Sequence, residues 1–337
     1  MHMSDALVAP TVAATMYSCS ALVAGYSARK VRLYEDSKKI PLMGIMGAFV
    51  FAAQMINFTI PGTGSSGHIA GGMLLSAILG PYAGFITMIA VLTIQCLLFA
   101  DGGLLALGSN IWNIAFYGCF VGAMLLWKPM MKNGITKTKI LVSSILGCII
   151  TLQMGAFSVV LETYFSGISD LPFSMFVAAM QPIHLAIGLI EGLITAAVLV
   201  FIHEARPELL QAGVKNQGIE KSGKLSYKTT LLILVAAFVV IGGAISLFAS
   251  THPDGLEWSI EKITGSAELK SSGDIYAVSE QIQGQTALLP DYSWKDSTSV
   301  SGTSVSGIIG GLVVIIVCVL FCRILSFVRK SNSNERN

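Results

Sequence analysis

The sequence predicts an all-α integral membrane protein, a bundle of seven helical segments followed by a C-terminal hairpin of two further spans. Three observations predict it. Of 337 residues, 53% are apolar and 12% charged, about half the charged share of a soluble domain, and the mean hydropathy is +0.72. Nine apolar segments recur, at approximately 7–28, 41–59, 68–80, 82–100, 103–127, 139–161, 172–203, 229–250 and 305–328, most of them near the ~20 residues that cross a bilayer. The cations fall where such a topology puts them. With the N-terminus outside, the inside segments and the helix ends bordering them hold 18 of the 21 Lys and Arg residues, and only Lys262, Lys270 and Lys295 lie outside, as the positive-inside rule requires.

The first segment follows Met1-His2-Met3-Ser4-Asp5, which carries no cation, and the first Lys and Arg residues are Arg29, Lys30 and Arg32. A cleaved signal peptide has a basic start, so the segment is expected to stay as a helix. The third segment is short for a full span and follows the glycine-rich run 61–67. Irregular backbone at membrane depth survives where protein covers it or it lines a cavity, so this stretch points to a binding site. An odd count of spans favours its crossing. Residues 1–205 form the first module and 206–228 a polar, basic linker. Residues 229–330 form the two-span module, with an external loop over 251–304 that holds eight acids and three Lys. The Ser/Thr/Gly run from Ser297 to Ser306 reads as flexible.

Several functions are excluded. All six cysteines lie in apolar stretches without a CxxC pair, which reads as core residues rather than a zinc or redox motif. No face is basic enough for nucleic acid. The chain has neither a phosphate-binding Gly-x-x-x-x-Gly-Lys-Ser/Thr loop nor a His-Glu-x-x-His helix, so it does not hydrolyse ATP and is not an intramembrane metalloenzyme.

Met1-His2 is the first candidate site. Methionine is removed only before small residues, so Met1 is expected to remain with a free amine. α-Amines titrate near ~8, so a metal displaces the proton at neutral pH. The amine, the His2 backbone nitrogen and the His2 imidazole would chelate one ion in a five- and a six-membered ring. Four nitrogens in a plane suit Ni(II) or Cu(II). His68, after small flexible residues, is the natural fourth donor. The plainer alternatives are an exposed terminal histidine at position 2 and a helix-cap histidine at 68.

Four blocks carry a resemblance over the first ~200 residues: Met1–Leu7, Pro61–Gly72, Leu98–Asn110 and His184–Gly192. They resemble the CbiM/NikM family of metal-capture subunits; the Gly-Thr-Ser-Gly-His signature of that family is present with one residue inserted. The resemblance implies the substrate-specific (S) component of an energy-coupling factor transporter in a prokaryotic cytoplasmic membrane. It implies Ni(II) or Co(II) bound by Met1, His2 and His68 as cargo, with no resident cofactor. It also implies a transmembrane coupling protein and two ATPases as partners. The inserted residue leaves the reach of His68 open. Nickel is slightly favoured; cobalt would link the chain to cobalamin synthesis. His252-Pro-Asp-Gly-Leu-Glu257 is similar to the PDGLE motif of the small CbiN/NikN subunit, here fused and so at high effective concentration. His252, Asp254 and Glu257 could form an auxiliary metal relay, or Pro-Asp-Gly could be a turn.

Other polar residues carry expectations of their own. His184 and Glu191, seven apart, share a helix face and are expected first to pair with one another, or else to support the site. Asp101 could orient a metal-binding histidine. Gln54, Asn57, Gln95, Asn110 and Asn113 could bond between helices, and Ala24–Ala28 is a small-xxx-small stripe for close helix contact. A metal-selective channel, or a capture subunit for an organic solute, are the competing functions. The second would leave Met1-His2 without a role.

Overall fold

The computed structural model describes residues 1–31, 38–215, 224–295 and 301–334. Arg32, Lys221, the 216–223 part of the linker and the 297–300 part of the Ser/Thr/Gly run lie outside the described residues. The protein is an all-helical, multi-pass membrane protein. Among the described residues, six helices are long and apolar enough to cross a bilayer.

A short turn at Asp5–Leu7 leads into α1 (Pro10–Lys30), with Pro10 in the first helical turn, where its missing N–H costs nothing. Only Ala13, Ser20 and Ser27 of α1 are fully buried. They are seven apart and form one stripe, and the Ser20 hydroxyl donates to the Gly108 carbonyl at 2.8 Å. The second helix, α2 (Lys39–Gln54), is buried almost throughout. The second apolar segment was expected to run to residue 59. The helix instead stops at Gln54, and the chain forms an antiparallel hairpin of β1 (Phe58–Ile60) and β2 (Ser65–Gly67), with Phe58 opposite Gly67. Pro61 and two glycines with positive φ, Gly62 and Gly64, make its turn.

The third segment is helical over less than the length of a full span. Its helix, α3 (Gly72–Leu79), has eight residues, about 12 Å of rise against a hydrocarbon core of about 30 Å. Gly80 turns the chain directly into α4 (Pro81–Phe99). The missing depth is filled by α8 (Pro207–Lys215), which packs under the end of α3; a Cβ on Gly213 would sit 2.3 Å from the Ala77 carbonyl. The linker expected over 206–228 therefore begins as a buried helix. Leu209 and Leu210 are in the core, and Arg206 and Glu208 form a buried ion pair.

Helix α5 (Leu107–Met131) is wound as a π-helix over Ile111–Trp127. It is followed by α6 (Lys137–Ser166) and α7 (Phe173–Ala205), which pack along one another. The C-terminal spans, α9 (Tyr227–Gly243) and α12 (Ser301–Asn334), pack on α2. The part of the Ser/Thr/Gly run from Ser301 onward is thus the start of a helix, not a flexible linker. The loop between these spans holds α10 (Gly255–Thr264), α11 (Asp274–Thr286) and a 3₁₀ turn at Pro290–Tyr292. The signal for α10 is legible in the sequence: Asp254 and Glu257 form a capping box, the Asp-x-x-Glu spacing of a helix start.

Close backbone approach fixes α3 in place. A Cβ on Gly118 of α5 would lie 2.8 Å from the Cα of Gly72, and backbone cannot yield as a flexible side chain can. Gly118→Val should therefore cost about 1–3 kcal/mol by overpacking. Thermal unfolding in detergent should show a lowered midpoint, while Gly25→Ala, with no described atom within 4 Å of the added carbon, should not lower it, since alanine is the better helix former. Equal midpoints for both would contradict the packing described.

Candidate metal centre

The start of the chain is drawn into the protein rather than left in solvent. Asn110 grips Met3 from both sides, accepting from its N–H at 2.7 Å and donating to its C=O at 3.1 Å. Asp5 accepts from the Ala106 N–H and from the Ser279 hydroxyl. Tyr276 donates to the Val8 carbonyl. The terminal segment is thus clamped between α5 and α11, and Met1 is 5% exposed.

Three segments meet at its amine. The Met1 nitrogen lies 3.0 Å from His68 Nε2 and ion-pairs with Asp254 Oδ2. Asp254 Oδ2 is also 3.8 Å from His68 Nε2. His68 Nδ1 lies 3.0 Å from the Ile69 carbonyl. A carbonyl only accepts, so Nδ1 carries the proton and Nε2 presents a lone pair to the amine. Burial, then the nearby terminal ammonium and His2, push the His68 pKa down to about 3, so the ring is neutral and ready to ligate. The His2 ring stacks on that of His68, with centroids 5.1 Å apart. His2 Nδ1 faces Asp101 Oδ1 at 3.1 Å, and His2 Nε2 is buried without a partner among the described residues.

The two carboxylates are held ionised. Burial alone would raise Asp101, but the His2 ring and the Tyr292 hydroxyl, which donates to Oδ2 at 2.5 Å, hold it well below the usual carboxylate range. Burial would likewise raise Asp254, and the terminal ammonium and His68 more than offset it. The two oxygens of Asp254 divide the work. Oδ1 accepts from the Leu256 and Glu257 N–H groups as the N-cap of α10, while Oδ2 faces the amine.

The glycine-rich hairpin carries the loop that brings Asp254 in. The Ser66 N–H donates to the Pro253 carbonyl at 2.8 Å, the Ser66 hydroxyl to the His252 carbonyl at 2.7 Å, and the Trp258 indole to the Thr63 carbonyl at 3.0 Å. A Cβ on Gly67 would fall 2.5 Å from Ile187, so glycine there lets His68 approach α7. The result is a cavity of about 10 Å³ whose lining includes Met1, His68, His184 and Asp254, about the size of one water.

Among the residues singled out from sequence, Met1, His2, His68, Asp101 and Asp254 are brought together. The relay expected of His252, Asp254 and Glu257 is not assembled as a unit. The His252 side chain is exposed, and Glu257 turns back to accept from the Asp254 N–H in its own helix cap. His184 and Glu191 share a face but do not pair. His184 Nδ1 bonds the Met180 carbonyl at 2.7 Å, and Glu191 Oε1 accepts from the Gly71 N–H at 2.9 Å. Gln54 bonds the Ala70 carbonyl and Asn113 bonds Glu162. Tyr292 was missed, because nothing local in sequence ties an aromatic of the late loop to Asp101. Its ring stacks on Phe99 at 4.8 Å. Among the described residues, no group of three or more His, Cys, Asp or Glu side chains stands in metal-holding geometry; the donors here are a chain terminus and isolated rings.

A His pKa lowered on folding means the unfolded chain binds the extra proton, so stability falls as pH drops from about 6.5 toward about 3. The metal-free protein should lose about 2 kcal/mol between pH 7 and pH 5 on account of His68. Asp101 and Asp254 add no slope there, because carboxylates held low lose their contribution only below about pH 4. Thermal melts across this range should show the slope in the unaltered chain and a reduced slope in His68→Gln; identical slopes would contradict the buried, neutral ring.

Comparison with known proteins identifies the family of the chain. Residues 2–209 match the family model of CbiM, the cobalt uptake substrate-specific transmembrane region, and residues 228–327 match the PDGLE domain. A fused NikMN protein of Archaeoglobus fulgidus, provisionally assigned to nickel transport, is 33% identical over 94% of this chain and 96% of its own length. The cobalt transport protein CbiM of Lachnoclostridium phytofermentans is 31% identical over 65% of this chain and 89% of its own. The crystal structure of a transition metal transporter aligns with a TM-score of 0.54 at 30% identity, covering 65% of this chain and 100% of that one. These are transport proteins, not enzymes, and the chain belongs to the CbiM family, with a PDGLE domain carried on the same polypeptide.

Proposed function

We propose that the chain is the substrate-specific component of an energy-coupling factor transporter and captures Ni(II) or Co(II) with Met1, His2 and His68. The observation that carries this reading is the lone pair of a neutral, buried His68 Nε2 aimed at the terminal amine at 3.0 Å. The two donors converge on a cavity with room for one dehydrated ion. That volume disfavours an organic solute, whose pockets run to several hundred Å³.

Ligation releases two protons to solvent, one from the Met1 ammonium and one from the His2 backbone N–H, and the ion takes their places. Met1 supplies its amine, His2 its deprotonated backbone nitrogen and Nδ1, and His68 Nε2 the fourth nitrogen. The chelate ring closes through His2 Nδ1, which faces Asp101 in the metal-free state. A half-turn of the ring exchanges its two sides, presenting Nδ1 to the ion and turning Nε2–H toward Asp101. The carboxylate then holds the ligating ring in place. Asp254, the counter-charge of the empty site, becomes a counter-charge to the bound cation.

In this reading the Met1 end faces outward and the cationic segments inward, in a prokaryotic cytoplasmic membrane. A coupling protein and two ATPases drive release. Residues 1–205 form the capture module, 206–228 the connection, and 229–330 an auxiliary module that covers the site. A planar four-nitrogen site favours nickel, and the Archaeoglobus fulgidus relative assigned to nickel transport is likewise a fused chain.

Ni(II) titration of the purified chain with an unmodified terminus should give one ion per chain. One Ala inserted between Met1 and His2, or His68→Ala, should abolish that binding. Asp101→Asn should weaken it about 10- to 100-fold. Stoichiometric binding unaffected by the insertion and by His68→Ala would overturn the site.

A further inference from the structure

Resting on the capture reading above, we propose that His184 is an inner ligand station, which takes the ion from Met1, His2 and His68 as it moves into the bundle. His184 is 1% exposed and lines the same small cavity as Met1, His68 and Asp254. Its Nδ1 lies 2.7 Å from the Met180 carbonyl. The carbonyl can only accept, so Nδ1 holds the proton and the Nε2 lone pair is free. That Nε2 is buried and has no hydrogen-bond partner among the described residues, an uncommon state for a buried polar atom. A lone pair fixed by a carbonyl bond on the other ring nitrogen is how metal-ligating imidazoles are prepared. His68 is prepared in the same way, by the Ile69 carbonyl.

The covering loop leaves this atom open. A Cβ at Gly255 would stand 3.2 Å from His184 Nε2, so a side chain at this position of the PDGLE segment would press on the ring from the cavity side. Deeper along the same helix the pattern continues. Glu191, seven residues and about 10 Å further along the axis, is 2% exposed, and its Oε2 accepts no hydrogen bond of ordinary geometry among the described residues. It lines a second small cavity that shares Ala70, Ile114 and Leu152 with the first. A divalent ion leaving water needs a ligand at each step through a low-dielectric interior. Imidazole suits nickel and cobalt. The capture site, His184 Nε2 and Glu191 Oε2 supply such steps in order of depth.

Two measurements test this on the full chain: equilibrium Ni(II) binding to purified protein, and uptake of radioactive Ni(II) by cells producing the complete transporter. His184→Ala should still bind one ion at the capture site while uptake falls about tenfold or more. His184→Cys, whose thiolate can ligate, should recover more uptake than His184→Gln, which keeps polar volume but ligates poorly. A merely structural role predicts the reverse order. Unchanged uptake in His184→Ala, better recovery by Gln than by Cys, or loss of equilibrium binding in His184→Ala would overturn the inner station. Failure of the unaltered chain to bind the ion would overturn the capture reading, and this inference with it.

Discussion

A buried chain terminus is the constraint on which the rest of the structure depends. An ammonium taken out of water is strongly unfavourable unless a counter-charge and hydrogen bonds replace its hydration. Here the amine of Met1, whose side chain is 4% exposed, meets one carboxylate, Asp254, and one neutral imidazole, His68. Everything that positions those two groups follows from the need to meet it. The glycine-rich hairpin delivers His68 and binds the loop that delivers Asp254. The capping box of α10 fixes the Asp254 carboxylate. The terminal segment is clamped by Asn110, Asp5 and Tyr276 so that the amine cannot withdraw. The site is therefore built jointly by the family module and the PDGLE domain.

The same constraint explains why the arrangement suits a captured cation. A metal ion that displaces the ammonium proton inherits a preformed carboxylate partner and a preformed lone pair. Asp101 holds His2 in reserve, and is itself held by Tyr292, whose ring packs on Phe99. The short α3 lets the glycine-rich loop stay near the Met1 end while the chain turns back into α4. Helix α8 fills the space this leaves below. A full-length third helix would need residues that the sequence spends on Pro61–Gly71.

Much of this was legible in the sequence, and for physical reasons. The long apolar helices follow from composition alone. The convergence of Met1, His2 and His68 follows from ligand chemistry together with the resemblance at the four blocks. The short third segment was marked by its glycine run. Other features depend on contacts no local pattern reveals. The Asp254–Met1 ion pair joins residues 253 apart in sequence, and the Asp254 motif reads equally as a turn, a cap or a ligand. Structurally it is a cap through one oxygen and a counter-ion through the other. The expected His184–Glu191 pair shared a face as the seven-residue spacing required, but each side chain found a backbone partner instead. Helical spacing fixes facing and not bonding. The helix over 207–215 was hidden because its polar neighbours, Arg206 and Glu208, neutralise each other in the buried state.

The most direct test of the central claim is X-ray absorption spectroscopy of the Ni(II)-loaded chain, which reads the ligand atoms themselves. Capture by the terminal amine, the His2 backbone and two imidazoles predicts a planar, nitrogen-only shell with the outer scattering of two histidine rings. A sulfur ligand, or an oxygen-rich six-coordinate shell, would contradict it and move the ion away from the start of the chain.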